Sequence, residues 1–461
     1  MQITGAVLEV SGAEPPFGES RPFTVGTLEL DPPGPGELLV RIEAAGVCHS
    51  DLSVVDGNRR RPTPMLLGHE AAGIVESLGD GVVDVPIGTR VVMTFLPRCG
   101  ECPECATDGR LPCRVGTAAN GAGALVGGGI RLRRTSTNPV DGPDAGRGTR
   151  STGGTRTGTT GTHDAARADE PVHHHLGVSA FATHAVVSRT SVVPVADDVP
   201  AEIAALLGCA VLTGGGAVIN AGRPAPGTRV TIVGLGGVGM AALLVAVALG
   251  HEVIGVDALP GKLATALELG ATAAYTPAEA VAAASVVAES GAAESGAAES
   301  GAAASRGSTT TGARAGRSAS NGPTDAAALA PLVIEAAGSA RAFETALALT
   351  APGGTTVTVG LPAPDARADV SPLQLTAEAR TVVGSYLGSA VPARDIPRYV
   401  ELWRTGRLPL ERLVSSRIGL DGLDAAMDRL AAGGELRQLI TFDRDPDITN
   451  ITDITDERTQ A

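Results

Sequence analysis

The sequence predicts an α/β protein in which a β-rich domain is joined to a parallel, doubly wound sheet. Short segments near the N-terminus, such as TLEL and ELLVRIEAAG, alternate apolar and polar residues and are separated by Pro/Gly clusters such as DPPGPGE. This pattern indicates strands and turns. Between residues 211 and 385, strand-like and helix-like segments alternate, which is typical of a parallel sheet. A chain of 461 residues has room for both domains.

Charge and composition exclude several kinds of partner. The net charge of −14 disfavours binding to nucleic acid or to an anionic membrane surface. The N-terminal MQITGAVLEV lacks the basic start and apolar core of an export signal, so we expect a cytoplasmic protein. One uncharged apolar run, Val230–Gly250, is long enough to span a membrane, but its five glycines favour a strand, a turn and a helix instead.

The motifs CHSD and GHE carry candidate metal ligands. The Cys48 thiolate and the His69 imidazole suit zinc, and Cys209 in LLGCAVLTGGG could supply a third ligand. Three protein ligands leave one tetrahedral position for water or substrate, which is typical of a catalytic zinc. The alternative is that these side chains are buried core residues. Asp51 and Glu70 favour the metal site, because carboxylates beside ligands form the outer shell that such a site requires.

A second group of cysteines has the spacing Cys-x2-Cys-x2-Cys-x7-Cys in CGECPECATDGRLPC. Four thiolates this close in a reducing cytosol predict a closed, structural zinc site. An iron–sulfur cluster is the alternative, but the ferredoxin pattern has three residues before its fourth cysteine and a proline after it, and this chain has neither. The predicted ligands are Cys99, Cys102, Cys105 and Cys113.

Two segments have compositions that cannot form a core. Residues 131–170 are dominated by Gly, Thr, Arg and Asp, and residues 277–330 contain the repeat AESGAAESGAAESGAAAS. We predict that both are disordered insertions. Three consecutive histidines follow the first segment. Neighbouring residues on a strand point to opposite faces, so His173, His174 and His175 cannot all bind one ion and are interpreted as structural or pocket-lining.

The motif GLGGVG predicts a dinucleotide-binding site. The strand-like RVTIV precedes it, the helical AALLVAVALG follows it, and an acid, Asp257, lies 18 residues past its last glycine. Glycines let the backbone approach a pyrophosphate at the helix N-terminus. Asp257 would accept hydrogen bonds from the ribose hydroxyls and repel a 2′-phosphate, so NAD is favoured over NADP, and Lys262 is placed to reach the same ribose. The predicted loop contacts are Gly234, Gly236, Gly237, Val238 and Gly239.

Together, GHE, CHSD, CGECPEC, GLGGVG and Asp257 resemble the zinc-dependent medium-chain alcohol dehydrogenases. The passages PVHHHLGVSAF, LLGCAVLTG and IGLDGLDAAMDRLAAGGELRQLITF resemble the long-chain, liver-type branch. The resemblance covers nearly the whole chain except the two predicted insertions. It implies a GroES-like catalytic domain formed by residues 1–210 and 386–461, a Rossmann NAD-binding domain at 211–385, an active site in the cleft between them, and a homodimer.

The resemblance also implies a role for each site residue. It assigns Cys48, His69 and Cys209 to the catalytic zinc with Glu70 nearby, and the four clustered cysteines to a second, structural zinc. In this family pattern Asp51 orients the ligand histidine, and Ser50 accepts the substrate proton. His49 and Arg437 contact the cofactor pyrophosphate. Thr213 and Phe95 line the nicotinamide and substrate pocket. Two positions depart from the liver-type pattern, because Ser53 replaces a relay histidine and His175 replaces an aromatic pocket residue.

The function that the resemblance implies is reversible hydride transfer between a primary alcohol, or its aldehyde, and NAD. One alternative is a formaldehyde dehydrogenase that acts on a glutathione adduct. Those relatives use acidic residues in the loop after the first zinc ligand, where this chain has DGNRRR. An alternative of another class is a non-catalytic protein that binds zinc and NAD.

Overall fold

The computed structural model describes residues 1–135, 169–284 and 329–442. Its first sheet is a closed barrel near the N-terminus. The barrel strands, in spatial order, are Gln2–Leu8, Phe23–Leu30, Leu132–Arg134, Pro171–His174 and Met65–Leu66. The alternating burial of Gln2–Leu8 and its neighbours follows the period of two that the sequence predicts.

A seven-stranded sheet lies beside the barrel and joins the two ends of the chain. Its path runs through Val192–Pro194, Arg90–Met93, Glu70–Leu78, Glu37–Val47, Arg437–Thr441 and Val414–Ile418, and His184–Ser188 also pairs with Glu37–Val47. The strand Arg437–Thr441 pairs antiparallel with Glu37–Val47, from the first part of the chain, and Gln438 lies opposite Val47. Both ends of the chain therefore build the β-rich, GroES-like domain.

The third sheet is parallel throughout and has six strands. In spatial order they are Ala273–Tyr275, Glu252–Val256, Arg229–Val233, Ala330–Glu335, Thr350–Thr358 and Thr381–Gly384. By position in the chain this order is 3-2-1-4-5-6, the order of a Rossmann dinucleotide-binding sheet. Its helices include Gly237–Ala248, Pro260–Glu268, Ala340–Ala348 and Pro372–Ala377. The predicted α/β fold class is confirmed.

A long apolar helical run, from Ala201 to Gly222, connects the two domains. It alternates α-helical and π-helical turns, in the order Ala201–Leu206, Leu207–Val211, Leu212–Gly216 and Ala217–Gly222. By length and composition alone it could cross a membrane, but 89% of its most apolar 18 residues are buried inside the protein. The predicted domain boundary at residue 210 thus falls inside one continuous helical run.

The first two sheets are largely antiparallel, with one parallel strand pair each, and further helices accompany them. The α-helices are Phe17–Ser20, His49–Val55, Arg114–Ala122, Pro392–Arg404 and Leu423–Ala431. Short 3-10 turns stand at Cys105–Thr107, Arg189–Ser191, Tyr386–Ser389, Leu410–Leu413 and Leu420–Gly422. The predicted apolar run at Val230–Gly250 is a strand, a glycine turn and a helix, as expected.

The edges of both predicted insertions are ordered, which corrects the predicted bounds. Leu132–Arg134 is a barrel strand, in which Leu132 pairs with Val172. Residues 277–284 are helical, and Ala280 and Ala284 pack in the core of the parallel sheet. Ala280 and Ala284, four residues apart, lie on one buried face of this helix, which the composition argument overlooked. Residues 136–168 and 285–328 lie outside the described residues.

Candidate active site and metal centres

Four side chains from three parts of the chain meet at the inner end of the cleft between the domains. Cys48 caps a short helix, His69 and Glu70 stand where a long strand begins, and Cys209 lies in a π-helical turn of the long helix. All four are buried, and their ligand atoms lie within 4.8 Å of one another. The structure therefore brings together the three predicted ligands of the catalytic metal and the predicted nearby carboxylate.

Asp51 holds two of these ligands in place. Its Oδ2 accepts a hydrogen bond from the Cys48 backbone N–H at 3.0 Å, and its Oδ1 accepts one from Gly68 N–H at 3.2 Å. The same Oδ1 lies 3.0 Å from Nδ1 of His69. The buried Nε2 of His69 has no hydrogen-bond partner among the described residues. An imidazole fixed at one nitrogen and free at the other, beside two sulfurs, fits a zinc site.

The charges around the cluster favour a metal-binding thiolate. A hydrogen bond from Cys209 lowers the pKa of Cys48 well below its usual range, and Arg437 and His69 lower it further against the effect of burial. The Arg437 guanidinium is buried and donates through Nε to Glu70 Oε1 at 3.2 Å. Burial raises the pKa of Glu70 to about 7 despite this contact. These contacts favour the thiolate form of Cys48, which is the form that binds metals.

The second cysteine cluster forms a separate centre. Its sulfurs come within 4.8 Å of one another, with 3.9 Å between Cys99 and Cys105 and 3.8 Å between Cys102 and Cys113. A tetrahedron with Zn–S bonds of about 2.3 Å has edges of about 3.8 Å, so the spacing fits a four-thiolate zinc site. All four cysteines are free of disulfides. The N–H groups of Cys99 and Gly116 point at the Cys113 sulfur at 3.4 Å, as suits a thiolate.

The cleft has a volume of about 430 Å³ and is lined by both domains. Most of the predicted cofactor contacts line it. They are His49, Thr213, Gly234, Gly236, Gly237, Val238, Asp257, Lys262 and Arg437. Gly239 lies below the loop instead, where a Cβ atom would come within 1.8 Å of the Gly234 carbonyl oxygen, so it serves the packing of helix on strand.

Two further loop glycines lie at close approaches, one to backbone and one to a side chain. Gly234 has a φ of +93°, and a Cβ there would lie 2.6 Å from the Ala337 nitrogen. At Gly237, the first residue of the helix, a Cβ would lie 1.9 Å from a guanidinium nitrogen of Arg437. Arg437 therefore connects the metal cluster, through Glu70, with the helix N-terminus at which a pyrophosphate is expected to bind.

Asp257 stands at the end of the second parallel strand, as predicted. Its Oδ2 accepts from the Leu235 N–H at 2.7 Å and its Oδ1 from the Leu259 N–H at 3.0 Å. The Lys262 ammonium lies 3.9 Å from the same carboxylate. The carboxylate is fixed at the edge of the cleft beside the glycine loop, where a ribose hydroxyl pair would reach it.

The other end of the cleft is lined by aromatic and hydroxyl side chains. Phe95 packs edge-on against His69 with ring centroids 5.6 Å apart, and Tyr386 packs against Phe95 at 5.8 Å. Ser50 and Ser53 line the same space from the short helix. The predicted pocket residue Phe95 and the predicted proton acceptor Ser50 thus stand beside the metal cluster.

His175 does not line the cleft, which corrects its prediction as a pocket residue. Its side chain is 1% exposed, and Nδ1 lies 3.2 Å from Oδ1 of Asp51. Its ring packs edge-on against His69 with centroids 5.4 Å apart. The His175 imidazole interacts with the buried Asp51 carboxylate that also holds His69. This interaction places the His175 side chain behind the ligand cluster.

Two residues at the cleft were missed from the sequence, one that supports a lining loop and one that lines the cleft itself. Glu335 ends a parallel strand and accepts hydrogen bonds from Ala337 and Gly338, which fixes a second loop of the cleft. The position of an acid at the end of the predicted strand LVIE was an available signal. Tyr386 also lines the cleft, and no local pattern indicates that role.

The fold and the two ligand clusters define a two-domain, metal-binding dehydrogenase, and comparison with known families agrees. Residues 34–137 match the alcohol dehydrogenase GroES-like domain, and residues 237–404 match the zinc-binding dehydrogenase domain. The geraniol dehydrogenase of Castellaniella defragrans is 33% identical, over 91% of this chain and 95% of its own. The NDMA-dependent alcohol dehydrogenase of Amycolatopsis methanolica is 31% identical, over 96% and 100%.

Solved structures agree with these relatives. The benzyl alcohol dehydrogenase of Acinetobacter calcoaceticus matches with a TM-score of 0.74 and 26% identity, over 96% of this chain and 100% of that chain. The chain belongs to the zinc-dependent medium-chain alcohol dehydrogenase family.

Proposed function

We propose that the chain transfers a hydride reversibly between a primary alcohol, or its aldehyde, and NAD. One observation carries the proposal: Cys48, Cys209 and the glycine loop line the same cleft. A substrate oxygen at the ligand cluster and a nicotinamide held from the loop would therefore meet in one enclosed space. Proximity of the two reactants is a large part of what such a site contributes to rate.

The residues of the inner cluster fit a catalytic zinc held by Cys48, His69 and Cys209. When bound, zinc would act as a Lewis acid that lowers the pKa of a substrate hydroxyl group. Asp51 keeps His69 in the tautomer whose Nε2 faces the cluster, since its own oxygen is within hydrogen-bond distance of Nδ1. The burial of all these groups excludes bulk water from the reacting end of the cleft.

Ser50 is the proposed acceptor of the substrate proton. It lies two residues after Cys48 and lines the cleft beside the cluster. Ser53, one turn further along the same helix face, also lines the cleft, and its hydroxyl donates to the His49 carbonyl at 2.7 Å. We infer that the proton leaves along this face of the helix past Ser53, which stands where the liver-type pattern places a relay histidine.

NAD is the proposed acceptor because Asp257 would oppose the extra phosphate of NADP. Primary alcohols are supported by the relatives named for geraniol and benzyl alcohol, both of which carry a primary hydroxyl group. The proposal also includes two zinc ions per chain, membership of the liver-type branch, a homodimer and a cytoplasmic location. A glutathione adduct is a less suitable substrate, because Arg59 lines the cleft in the loop where adduct-specific relatives have acids.

The test is a substrate panel with purified, zinc-loaded protein, in which the absorbance change of each acceptor on reduction is followed. Geraniol, benzyl alcohol and butanol are compared with S-hydroxymethylglutathione, using NAD, NADP or NDMA as acceptor. We expect NADH formation from the plain alcohols and none in a Cys48→Ser variant. Turnover only with NDMA would replace the NAD proposal, an adduct preference of about tenfold or more would replace the substrate proposal, and no turnover of any alcohol would refute both.

A further inference from the structure

The loop after the helix His49–Val55 carries three consecutive arginines, which differ in burial and in the groups they contact. Arg59 is half-buried and lines the cleft, and its guanidinium points across to the Pro362 carbonyl oxygen at 3.5 Å. Arg61 is also half-buried, and it donates to the Asn120 carbonyl at 2.9 Å. Arg60, between them, is exposed and does not line the cleft.

Neither half-buried arginine is paired with a carboxylate. In the described part of the chain, no Asp or Glu oxygen lies within 4.0 Å of a nitrogen of Arg59 or Arg61. The one acid in the loop, Asp56, accepts hydrogen bonds from its neighbour Asn58, at 2.9 Å from the backbone N–H and 2.7 Å from the side-chain amide. A guanidinium group that is partly withdrawn from water is stabilised by a carboxylate partner, and neither of these two has one among the described residues.

The two guanidinium groups also act on each other. Burial lowers the pKa of Arg59, and the charge of Arg61 lowers it further. Both arginines lower the pKa of Tyr386, whose ring lines the cleft, against the raising effect of its burial. An anion that binds in the cleft beside Arg59 and Arg61 would stabilise both positive charges.

A line of aromatic rings connects these charges with the reacting end of the cleft. Tyr386 contacts Phe95 edge-on, and Phe95 contacts the ligand His69 in the same way. A substrate with its hydroxyl at the ligand cluster would lie along Phe95 and Tyr386. Its far end would then reach the arginine side of the cleft.

We propose that Arg59, supported by Arg61, forms a subsite for a carboxylate at the end of the substrate remote from the reacting hydroxyl. The preferred substrates are then ω-carboxylated or carboxyaryl primary alcohols and their aldehydes, and neutral alcohols are turned over less efficiently. A carboxylate suits the planar, bidentate donor geometry of arginine. This inference rests on the proposed function, and it adds the substrate class that the loop selects.

The test compares 4-(hydroxymethyl)benzoate with its methyl ester, which has the same reacting group without the charge. We expect the wild-type kcat/KM for the acid to exceed that for the ester by about tenfold or more, because a charge-assisted hydrogen bond is gained. Arg59→Gln should bring the acid-to-ester ratio close to one. Arg60→Gln, the matched control on the exposed neighbour, should leave both rates and their ratio unchanged.

Three results would overturn the inference. One is a wild-type ratio near one while benzyl alcohol is oxidised normally, which contradicts the subsite but leaves the proposed function intact. Another is a ratio that Arg59→Gln does not change while the KM for NAD rises, which would assign Arg59 to the cofactor. The third result applies when no alcohol is oxidised, in which case the proposed function fails. Calorimetric binding of the acid and the ester then tests the subsite separately, and equal affinities for the two would refute the subsite.

Discussion

Oδ1 of Asp51 lies 3.0 Å from Nδ1 of His69, and the same carboxylate accepts the backbone N–H of Cys48. One buried side chain therefore positions ligands from two separate segments of the chain. It fixes the His69 tautomer so that Nε2 faces the cluster, and it fixes the loop that carries the Cys48 sulfur. The geometry of the proposed zinc site depends on this acid as much as on the ligands themselves.

Replacing Asp51 by Asn should weaken zinc binding and catalysis together. Both carboxylate oxygens face donors, so the amide NH₂ would oppose at least one of them. We expect zinc affinity and kcat/KM to fall by about 10–100-fold. Competition with a chelator measures the affinity. Asp84→Asn, which removes an exposed ion pair with Arg189, is the control and should change neither quantity. Unchanged zinc affinity in Asp51→Asn would contradict the positioning role.

The sequence predicted the parts of this site whose geometry is local. Regular spacing placed the four clustered cysteines together, and a strand, glycine turn and helix predicted the position of Asp257. The chemistry of Cys209 makes it a possible third ligand, but only the family resemblance assigns it to the Cys48 and His69 cluster, since about 140 residues separate His69 from it. The positions of His175 and Tyr386 could not be predicted, because each depends on which neighbour it meets after the domains pack.

Substitutions in the two metal clusters should have different consequences. Cys48→Ser should abolish turnover, remove one zinc and leave the fold intact, since it removes a ligand of the open site. Cys102→Ser should chiefly lower thermal stability, because a closed four-thiolate site contributes folding free energy. Elemental metal analysis and thermal melting of both variants check this. A single zinc in fully active wild-type protein would refute the assignment of two.

Replacing Asp257 by Gly should narrow the preference for NAD. The carboxylate would repel a ribose 2′-phosphate, and the Lys262 ammonium, 3.9 Å from it, could then bind the phosphate. We expect the ratio of kcat/KM for NADP to that for NAD to rise by about tenfold or more. Glu268→Gln, on the exposed end of the following helix, is the control. Equal use of both cofactors by the wild type would refute the role of Asp257.

His174 should make stability depend on pH. Burial lowers the pKa of His174 to about 3, and its Nε2 accepts a hydrogen bond from the Arg131 N–H at 3.1 Å. An unfolded histidine has a pKa of about 6.5, so between these values the unfolded state binds the extra proton. Stability is therefore complete above about pH 6.5 and falls by up to about 1.4 kcal/mol per pH unit below it.

Urea unfolding at several pH values, with zinc present, measures this dependence. His174→Gln keeps an acceptor for Arg131 but does not titrate, so its stability should fall less steeply with acidification than that of the wild type. His173→Gln, on the same strand but half-buried, keeps the buried His174 imidazole, so its stability should fall with acidification more steeply than that of His174→Gln. Parallel curves for the wild type and His174→Gln would show that His174 is not the responsible group.

The first low-complexity segment should be dispensable for catalysis. Its two ends meet in the barrel, because the Arg134 N–H donates to the Glu170 carbonyl at 3.1 Å and Leu132 pairs with Val172. A hairpin loop of about 2–5 residues can join strands in this register, so a short Gly/Ser linker can replace Thr135–Asp169 without moving either strand.

The strand that follows this segment leads directly into His175 and its contact with Asp51, so any strain from the shortened linker would reach the proposed zinc site. We expect kcat within a few-fold of the wild type and an unchanged zinc content, because the removed composition cannot contribute to a core. A matched variant that replaces Glu289–Thr324 instead, within the second low-complexity segment, should behave in the same way. A hundredfold loss of kcat in a folded, fully zinc-loaded variant would instead assign the removed segment a part in the reaction, since neither the metal site nor the fold could then account for the loss.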